Sequence, residues 1–145
     1  MAKAEAANWG LSNARFEMKD VSMIEGKTDC DLVTAFDTVH DQAKPAVLLQ
    51  QVASALKRGG TFLMWDVAAS SDLHKNKEHP LGPFLYGVSC MHCMTVSLSQ
   101  NGQGLGAMWG REKAKEMLAA AGLEGTRVYR TEEDPVNCWY VATKV

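Results

Sequence analysis

Residues 28–68 have the sequence TDCDLVTAFDTVHDQAKPAVLLQQVASALKRGGTFLMWDVA, and this stretch decides the predicted fold. An apolar, β-branched run covers Cys30–Thr38, and a helical pattern begins at Pro45. A second apolar run, Thr61–Val67, follows the Arg58-Gly59-Gly60 stop. Neither run alternates with polar residues, which is typical of strands that are covered on both faces of a parallel sheet. The stretch therefore predicts one βαβ unit with a right-handed crossover.

The carboxyl ends of these strands are the expected ligand edge, because parallel α/β sheets bind ligands there. His40 follows the first strand at this edge and is the candidate catalytic residue. An imidazole with a near-neutral pKa can accept the proton of a hydroxyl or amine nucleophile. The alternative is structural: His40 caps the strand, and Asp41 begins the helix.

The rest of the chain extends this unit into a single α/β domain over residues 1–145. Upstream, the pattern predicts a helix over residues 1 to about 10 and a strand over Asn13–Asp20. Downstream, the charged segment Asp72–His79 is predicted to be a surface loop or the start of a solvated helix. After it the pattern predicts a helix from about Pro83 to Met94, the glycine-rich loop Ser99–Gly110, the helix Arg111–Ala121 and two antiparallel strands, Thr126–Arg130 and Asn137–Lys144.

Composition excludes several classes of partner. Lys and Arg total 15 against 17 Asp and Glu, so neither a nucleic-acid footprint nor a basic membrane face is expected. No apolar run reaches the roughly 20 residues that span a bilayer, and the first residues lack a signal pattern. The 4 cysteines are interpreted as free thiols. We therefore expect a cytoplasmic protein without nucleic-acid or membrane partners.

Three segments carry a resemblance to class I S-adenosylmethionine-dependent methyltransferases. LKRGGTFLMWD at residues 56–66 is similar to the LKPGG turn of that family, with Arg58 where proline is usual. HPLGPFLYGVSCMHCMTVSL and GQGLGAMWG, at residues 79–98 and 102–110, resemble a small-molecule subgroup that carries a winged-helix dimerisation region upstream. The resemblance implies a Rossmann-like fold, S-adenosylmethionine as cofactor and a small-molecule methyl acceptor. We also expect a homo-oligomer or strand-swapped dimer, because an apolar strand edge invites pairing or swapping.

One departure from the family pattern concerns the cofactor. The family's first strand ends in an E/D-x-G-x-G-x-G loop, and its second strand ends in an acid that binds the ribose; neither motif occurs in this sequence. The resemblance thus predicts a partial, truncated fold without the first two strands, and weak or no cofactor binding by this chain alone. Gly102, Gly104 and Gly106 do not replace the loop, because no acid precedes them and the next helix begins too late. We interpret them as a flexible loop beside the substrate.

The resemblance assigns cofactor roles to four residues. Asp20 matches the acid that accepts the adenine amino group, with the backbone of Val21 beside it, and Phe36 and Asp37 match positions that line the methionine half. Each has an alternative. Asp20 can cap the following turn, Phe36 can pack at the strand end, and Asp37 can be solvated or act as a cap.

The segment after residue 80 supplies a candidate substrate pocket formed by Tyr86, His92 and Trp109, although Trp109 is equally suited to anchor the core. Cys90, His92 and Cys93 lack the second pair of ligands that a structural zinc site needs, so no metal site is predicted and the thiols are interpreted as buried.

Three functional hypotheses follow. The first, which we favour, is a small-molecule methyltransferase whose truncated chain is weak or inactive alone. The second is a non-catalytic dimerising or interaction fragment, because an exposed apolar edge at Leu32-Val33 invites strand pairing. The third is a thiol or zinc module centred on Cys90–Cys93.

Overall fold

The computed structural model describes residues 1–21 and 29–145. Five α-helices and four strands are present in these residues, together with a 3-10 helix, Leu73–Asn76, and a π-helix, Ser89–Cys93. The strands and helices, in chain order, are α1 Ala2–Asn8, β1 Cys30–Phe36, α2 Pro45–Ala55, β2 Leu56–Val67, α3 Gly82–Val88, α4 Met94–Ser99, α5 Gly110–Ala120, β3 Leu123–Tyr129 and β4 Asn137–Lys144.

The four strands form one sheet in the order β1-β2-β4-β3. β1 and β2 are connected by α2 and pair with each other in parallel, which confirms the predicted βαβ unit. β4 pairs antiparallel with both β2 and β3, which confirms the predicted C-terminal hairpin. As a result β1, β2 and β3 run in the same direction, and their carboxyl ends lie at one edge of the sheet.

The core lies on one face of this sheet, where α2 and α5 pack. Phe62 and Met64 of β2 and Tyr140 of β4 are fully buried there, and they share one apolar cluster with Leu49 of α2 and Leu118 of α5. The Pro45 start of α2 and the stripe that contains Leu48 and Val52 were expected from the helical period. Burial of this face is the main stabilising contribution of the fold.

The opposite face of the sheet is open in the described part of the chain. Leu32 and Phe36 of β1 are each 54% exposed, and Leu63 and Trp65 on this face of β2 are only half-buried, whereas Val67 at the end of β2 is buried. The expectation that both faces are covered is therefore wrong for these residues. α2 and α5 lie on the same face of the sheet. The predicted strands lack polar alternation because they carry apolar residues on the open face as well as on the buried one.

The predicted strand over Asn13–Asp20 is also wrong. These residues are exposed and form no strand, although α1 is helical as expected. Alternating apolar and charged residues give an extended segment one apolar and one charged face, as in a half-buried strand. A strand also needs a neighbouring strand for its backbone hydrogen bonds. In the described structure β2 is the one strand paired with β1, and residues 13–20 do not pair with it.

The residues that were predicted to form a helix from about Pro83 to Met94 are helical in the structure. α3, the π-helix and α4 follow one another without a break from Gly82 to Ser99, so the helix is confirmed and extends further than expected. None of the helices in the described ranges combines the length and the apolar character that crossing a membrane requires.

Candidate functional site

The loop that follows β1 brings the candidate residues to the carboxyl edge of the sheet. Asp37 adopts a left-handed backbone conformation, with φ of 48°. Its N–H donates to the carbonyl oxygen of Trp65 on β2 at 2.8 Å. Gln42 Nε2 then donates back to the carbonyl oxygen of Thr38 at 3.1 Å, which closes the loop before α2 begins. The chain therefore turns sharply at Asp37 and directs the following His40 towards the core.

His40 is buried, at 3% exposure, and both of its ring nitrogens lie near carboxylates. Nδ1 lies 2.8 Å from Oδ1 of Asp66, and Nε2 lies 3.3 Å from Oδ1 of Asp41. A third carboxylate, that of Asp37, is 4.0 Å from Nδ1. The structure thus brings the predicted catalytic residue together with three acids, two of which come from its own loop.

Asp66 is the site residue that sequence reasoning missed. It is fully buried at the end of β2. Its Oδ1 accepts from the Val67 N–H at 2.8 Å and from Trp109 Nε1 at 3.2 Å, in addition to its contact with His40. Oδ2 has no hydrogen-bond partner in residues 1–21 and 29–145. A signal for Asp66 was present in the sequence: an acid lies at the end of a strand predicted to be buried, at the ligand edge. Burying a carboxylate is costly unless it is paired, so such an acid indicates a nearby partner.

The charges around His40 raise its pKa. Burial lowers the pKa of the imidazole, but the hydrogen bond to Asp66 and the negative charges of Asp66, Asp41 and Asp37 outweigh burial. Desolvation raises the pKa of Asp37, with further contributions from the neighbouring acids. His40 therefore holds a proton more tightly than a free imidazole does, with Asp66 fixing the ring orientation through Nδ1.

Cys93 joins this cluster from the π-helix. It is buried, and burial together with a hydrogen bond to Asp41 raises the pKa of its thiol to about 12. Two groups of side chains, His40 with Asp41 and Cys93 and His40 with Asp37 and Asp66, place possible metal-ligand atoms within 4.8 Å of one another. The 2.8 Å contact between His40 Nδ1 and Asp66 Oδ1 is a hydrogen bond, so Nδ1 is already engaged by a carboxylate in this arrangement.

The expectation that Cys90 and Cys93 are both buried is wrong for Cys90, which is exposed. The π-helix of Ser89–Cys93 has wider i→i+5 turns than an α-helix, so residues three apart do not share a face as they would in an α-helix. His92 is exposed as well.

The four residues assigned to the cofactor occupy two different environments. Phe36 and Asp37 lie at the carboxyl end of β1 and are exposed, and the Phe36 ring meets Trp139 edge-on at 6.0 Å. Asp20 and Val21 are exposed on the segment that forms no strand. The role of Phe36 and Asp37 in holding the methionine half of the cofactor stays a prediction. The strand that was expected to carry the adenine-binding residues is absent from the described residues.

The three residues assigned to the substrate pocket also lie in different surroundings. Tyr86 is half-buried and its hydroxyl accepts from Asn76 Nδ2 at 2.8 Å, whereas His92 is exposed. Trp109 is 5% exposed and belongs to the main core cluster, where it donates to Asp66. Of the two roles considered for Trp109, core anchoring is the one that its contacts support.

The glycine-rich loop packs tightly rather than standing free as expected. Gln103 N–H donates to the Ala43 carbonyl at 2.9 Å, and the Gly104 N–H donates to Ser97 Oγ at 3.0 Å. A Cβ at Gly102 would collide with Ser97 and with the Ala43 backbone. These glycines permit close approach of the loop to α4, a packing role that a sequence pattern of alternating glycines does not distinguish from a nucleotide loop.

Comparison with known proteins links this geometry to one family. The family described as "Methyltransferase domain" matches residues 1–122. No curated protein matches the chain.

Solved structures share the fold. A candidate O-methyltransferase from Nostoc punctiforme PCC 73102 superposes with a TM-score of 0.73 at 19% identity, over 99% of this chain and 41% of that one. An O-methyltransferase family 2 protein from Planctomyces limnophilus, solved in complex with apigenin, has a TM-score of 0.71 at 23% identity, over 99% and 40%. PigF, solved with SAH, has a TM-score of 0.60 at 16% identity, over 86% and 34%. The chain thus spans about two fifths of the length of the first of these structures.

Proposed function

The chain belongs to the class I S-adenosylmethionine-dependent methyltransferases, and we propose that it contributes to methyl transfer onto a hydroxyl oxygen of a small molecule. The observation that carries the proposal is the His40–Asp66 pair: an imidazole oriented by a buried carboxylate, directly after the strand end that bears Phe36 and Asp37. A carboxylate that holds Nδ1 leaves Nε2 as the nitrogen for proton transfer.

When bound, S-adenosylmethionine would supply an electrophilic methyl group for the acceptor oxygen, and the bond to break would be that between this methyl carbon and the sulfur. His40 accepts the hydroxyl proton at Nε2, and the acceptor hydroxyl replaces Asp41 as the neighbour of that nitrogen. Asp66 stabilises the resulting imidazolium through Nδ1. The backbones of Phe36 and Asp37 would hold the methionine half of the cofactor at the end of β1.

The acceptor and the location are part of the same proposal. A phenolic small molecule is supported by the apigenin bound to the Planctomyces limnophilus neighbour. SAH, which PigF holds, supports the cofactor class. We expect this chain by itself to bind S-adenosylmethionine weakly, since only the β1 half of the crevice is present in the described residues. A cytoplasmic location stays a prediction, in keeping with four free thiols.

Methyl transfer by this protein from labelled S-adenosylmethionine to a panel of phenols that includes apigenin tests the proposal. We expect H40Q to lower kcat by about 10²–10⁴-fold, because positioned general bases contribute that much. H74Q, which alters an exposed histidine, is the matched control and should leave kcat unchanged. Transfer to none of the phenols would overturn the acceptor class, and a kcat within threefold of wild type for H40Q would overturn the role of His40.

The open sheet face favours a second function, that of a self-associating module. Phe36, Trp65, Trp139 and Tyr129 occupy neighbouring register positions across β1, β2, β4 and β3, and we call them the aromatic row. Phe36 and Tyr129 are 54% and 48% exposed. This apolar face lies beside β1, an edge strand that pairs only with β2 in the described residues. A second copy of this chain can cover such a surface.

A further inference from the structure

A cavity lies at the carboxyl edge of the sheet, on the side of β2 that is away from β1. It has a volume of about 360 Å³ and is bounded by the loop after β2, the 3-10 helix, the start of α5 and the residue that follows β3. This volume is within the usual range for sites that bind small molecules. The methyl-transfer proposal uses none of its lining residues.

The walls carry an excess of positive charge. Lys75, Arg111 and Arg130 line the cavity, and Glu78 is the acid among the lining residues. No carboxylate lies within ion-pairing distance of these three cations in the ranges that the structure describes. Glu112 interacts electrostatically with Lys75, but its two oxygens are already engaged by Ser70 Oγ at 3.1 Å and the Ser71 N–H at 2.7 Å.

The frame of the cavity is held in place by a buried side chain. Asn76 is 5% exposed; its Oδ1 accepts from the Ser70 N–H at 2.9 Å and its Nδ2 donates to the Ser70 carbonyl at 2.8 Å. On the opposite wall, Arg130 Nη2 donates to the Ala68 carbonyl at 2.9 Å, which uses one of the five guanidinium N–H groups. The walls are therefore preorganised, which lowers the entropic cost of binding a ligand.

A histidine in the wall offers an unmatched donor. His79 Nδ1 accepts from the Leu81 N–H at 3.2 Å, so the neutral ring carries its proton on Nε2. Within residues 1–21 and 29–145, Nε2 has no hydrogen-bond partner. A buried donor without an acceptor is uncommon and is satisfied when a ligand oxygen reaches it.

We propose that this cavity binds a small organic anion whose carboxylate or phosphate group is held by Arg111, Arg130 and Lys75. Guanidinium groups bind planar oxyanions through paired, charge-assisted hydrogen bonds, and Pro80 and Pro135 in the wall give the organic part of the ligand apolar contact. The proposal does not depend on the methyl-transfer activity.

Titration of backbone amide chemical shifts in the full chain tests the site at constant ionic strength. The probes are benzoate, inorganic phosphate and the uncharged benzamide. We expect saturable shifts at Ala68, Ser70 and Asn76 with an anion and none with benzamide. Saturation by benzoate but not by phosphate identifies the group as a carboxylate, and the reverse identifies a phosphate.

Two arginine variants separate binding from folding. R111Q and R130Q should each raise the dissociation constant about tenfold, the loss expected when one charge-assisted contact is removed. R58Q, which removes an exposed arginine at the amino-terminal end of β2, is the matched control and should bind as wild type does. R111Q leaves the Arg130–Ala68 hydrogen bond in place, so it remains informative if R130Q destabilises the fold. Shifts that never saturate, or binding that R111Q leaves unchanged, would overturn the proposal.

Discussion

At the scale of single residues, the cluster around His40 combines a buried imidazole with three acids, and its energetics depend on protonation. Asp66 is fully buried and His40 nearly so, so their interaction is not screened as a surface ion pair would be. Replacing one partner leaves the other as an uncompensated buried group, which is the costly case for such pairs. Asp66 thus makes the protonation of His40 part of the stability of the fold.

We predict that H40Q destabilises the chain in a pH-dependent way. Because the pKa of His40 is raised on folding, the stabilisation by its charged form is fully present below the unfolded value of about 6.5 and is lost as pH rises through the higher folded pKa. The difference in the free energy of unfolding between wild type and H40Q should be roughly 3 kcal/mol at pH 6 and should shrink by pH 9.

Urea denaturation at a series of pH values measures this difference. H74Q, at an exposed position, should show no comparable trend. A difference between wild type and H40Q that grows with pH would contradict the assignment of a raised pKa to His40.

At the scale of elements, the junction between the end of β2 and the start of α5 depends on one glycine. Gly110 has φ of 81°, and a Cβ there would collide with the backbone of Ser70 and Ser71. The close approach lets Arg111 N–H reach the Ala69 carbonyl at 3.0 Å and Lys113 N–H reach Ser71 Oγ at 2.9 Å. The helix start is thereby fixed to the strand that carries Asp66, and Trp109 immediately before it donates to that acid.

We predict that G110A destabilises the chain by about 3 kcal/mol or more, from a left-handed backbone and a backbone collision together. G122A is the matched control: Gly122 has φ of 80°, but apart from its chain neighbours no atom of residues 1–21 and 29–145 lies within 4 Å of an added Cβ. G122A should lower the free energy of unfolding by about 1–2 kcal/mol, because an alanine there is strained only by the left-handed backbone conformation. Thermal or urea unfolding of both variants measures the two values, and equal destabilisation would show that the collision at Gly110 is relieved.

At the scale of the whole molecule, the chain has one packed face and one open face. The two long helices, α2 and α5, cover the face that contains Phe62 and Tyr140, while the aromatic row and Leu32 lie on the other. An apolar surface of this kind promotes association, because its burial removes apolar area from water at about 25 cal/mol per Å².

We predict that the chain self-associates through this face. The molar mass from light scattering should rise with concentration towards twice that of one chain, and L32K should hold it near the monomer value by placing a charge on the edge strand. L73K makes the same change at a leucine of similar exposure outside the sheet and should leave association intact. A wild-type molar mass that stays at the monomer value at all concentrations would contradict the proposed self-association.

Local signals in the sequence determined the βαβ unit, the hairpin and the family. Pro45 begins a helix because its fixed φ suits the first turn, and apolar residues at the helical period form one buried stripe. The second strand is also a local signal, although β2 begins at Leu56 and includes the Arg58-Gly59-Gly60 segment that was expected to separate helix from strand. The family resemblance rests on such contiguous segments. His40 was selected because its position after a strand end follows directly from chain order.

Tertiary structure alone decided which residues meet. Residues 13–20 alternate as a strand does, yet pairing requires a partner that sequence pattern does not supply. The hydrogen bond between Asp66 and His40, which lie 26 residues apart, and the position of Arg111 and Arg130 at one cavity both depend on long-range packing. Periodicity reports the neighbours of a residue along the chain, whereas burial, charge and site chemistry arise from neighbours across space.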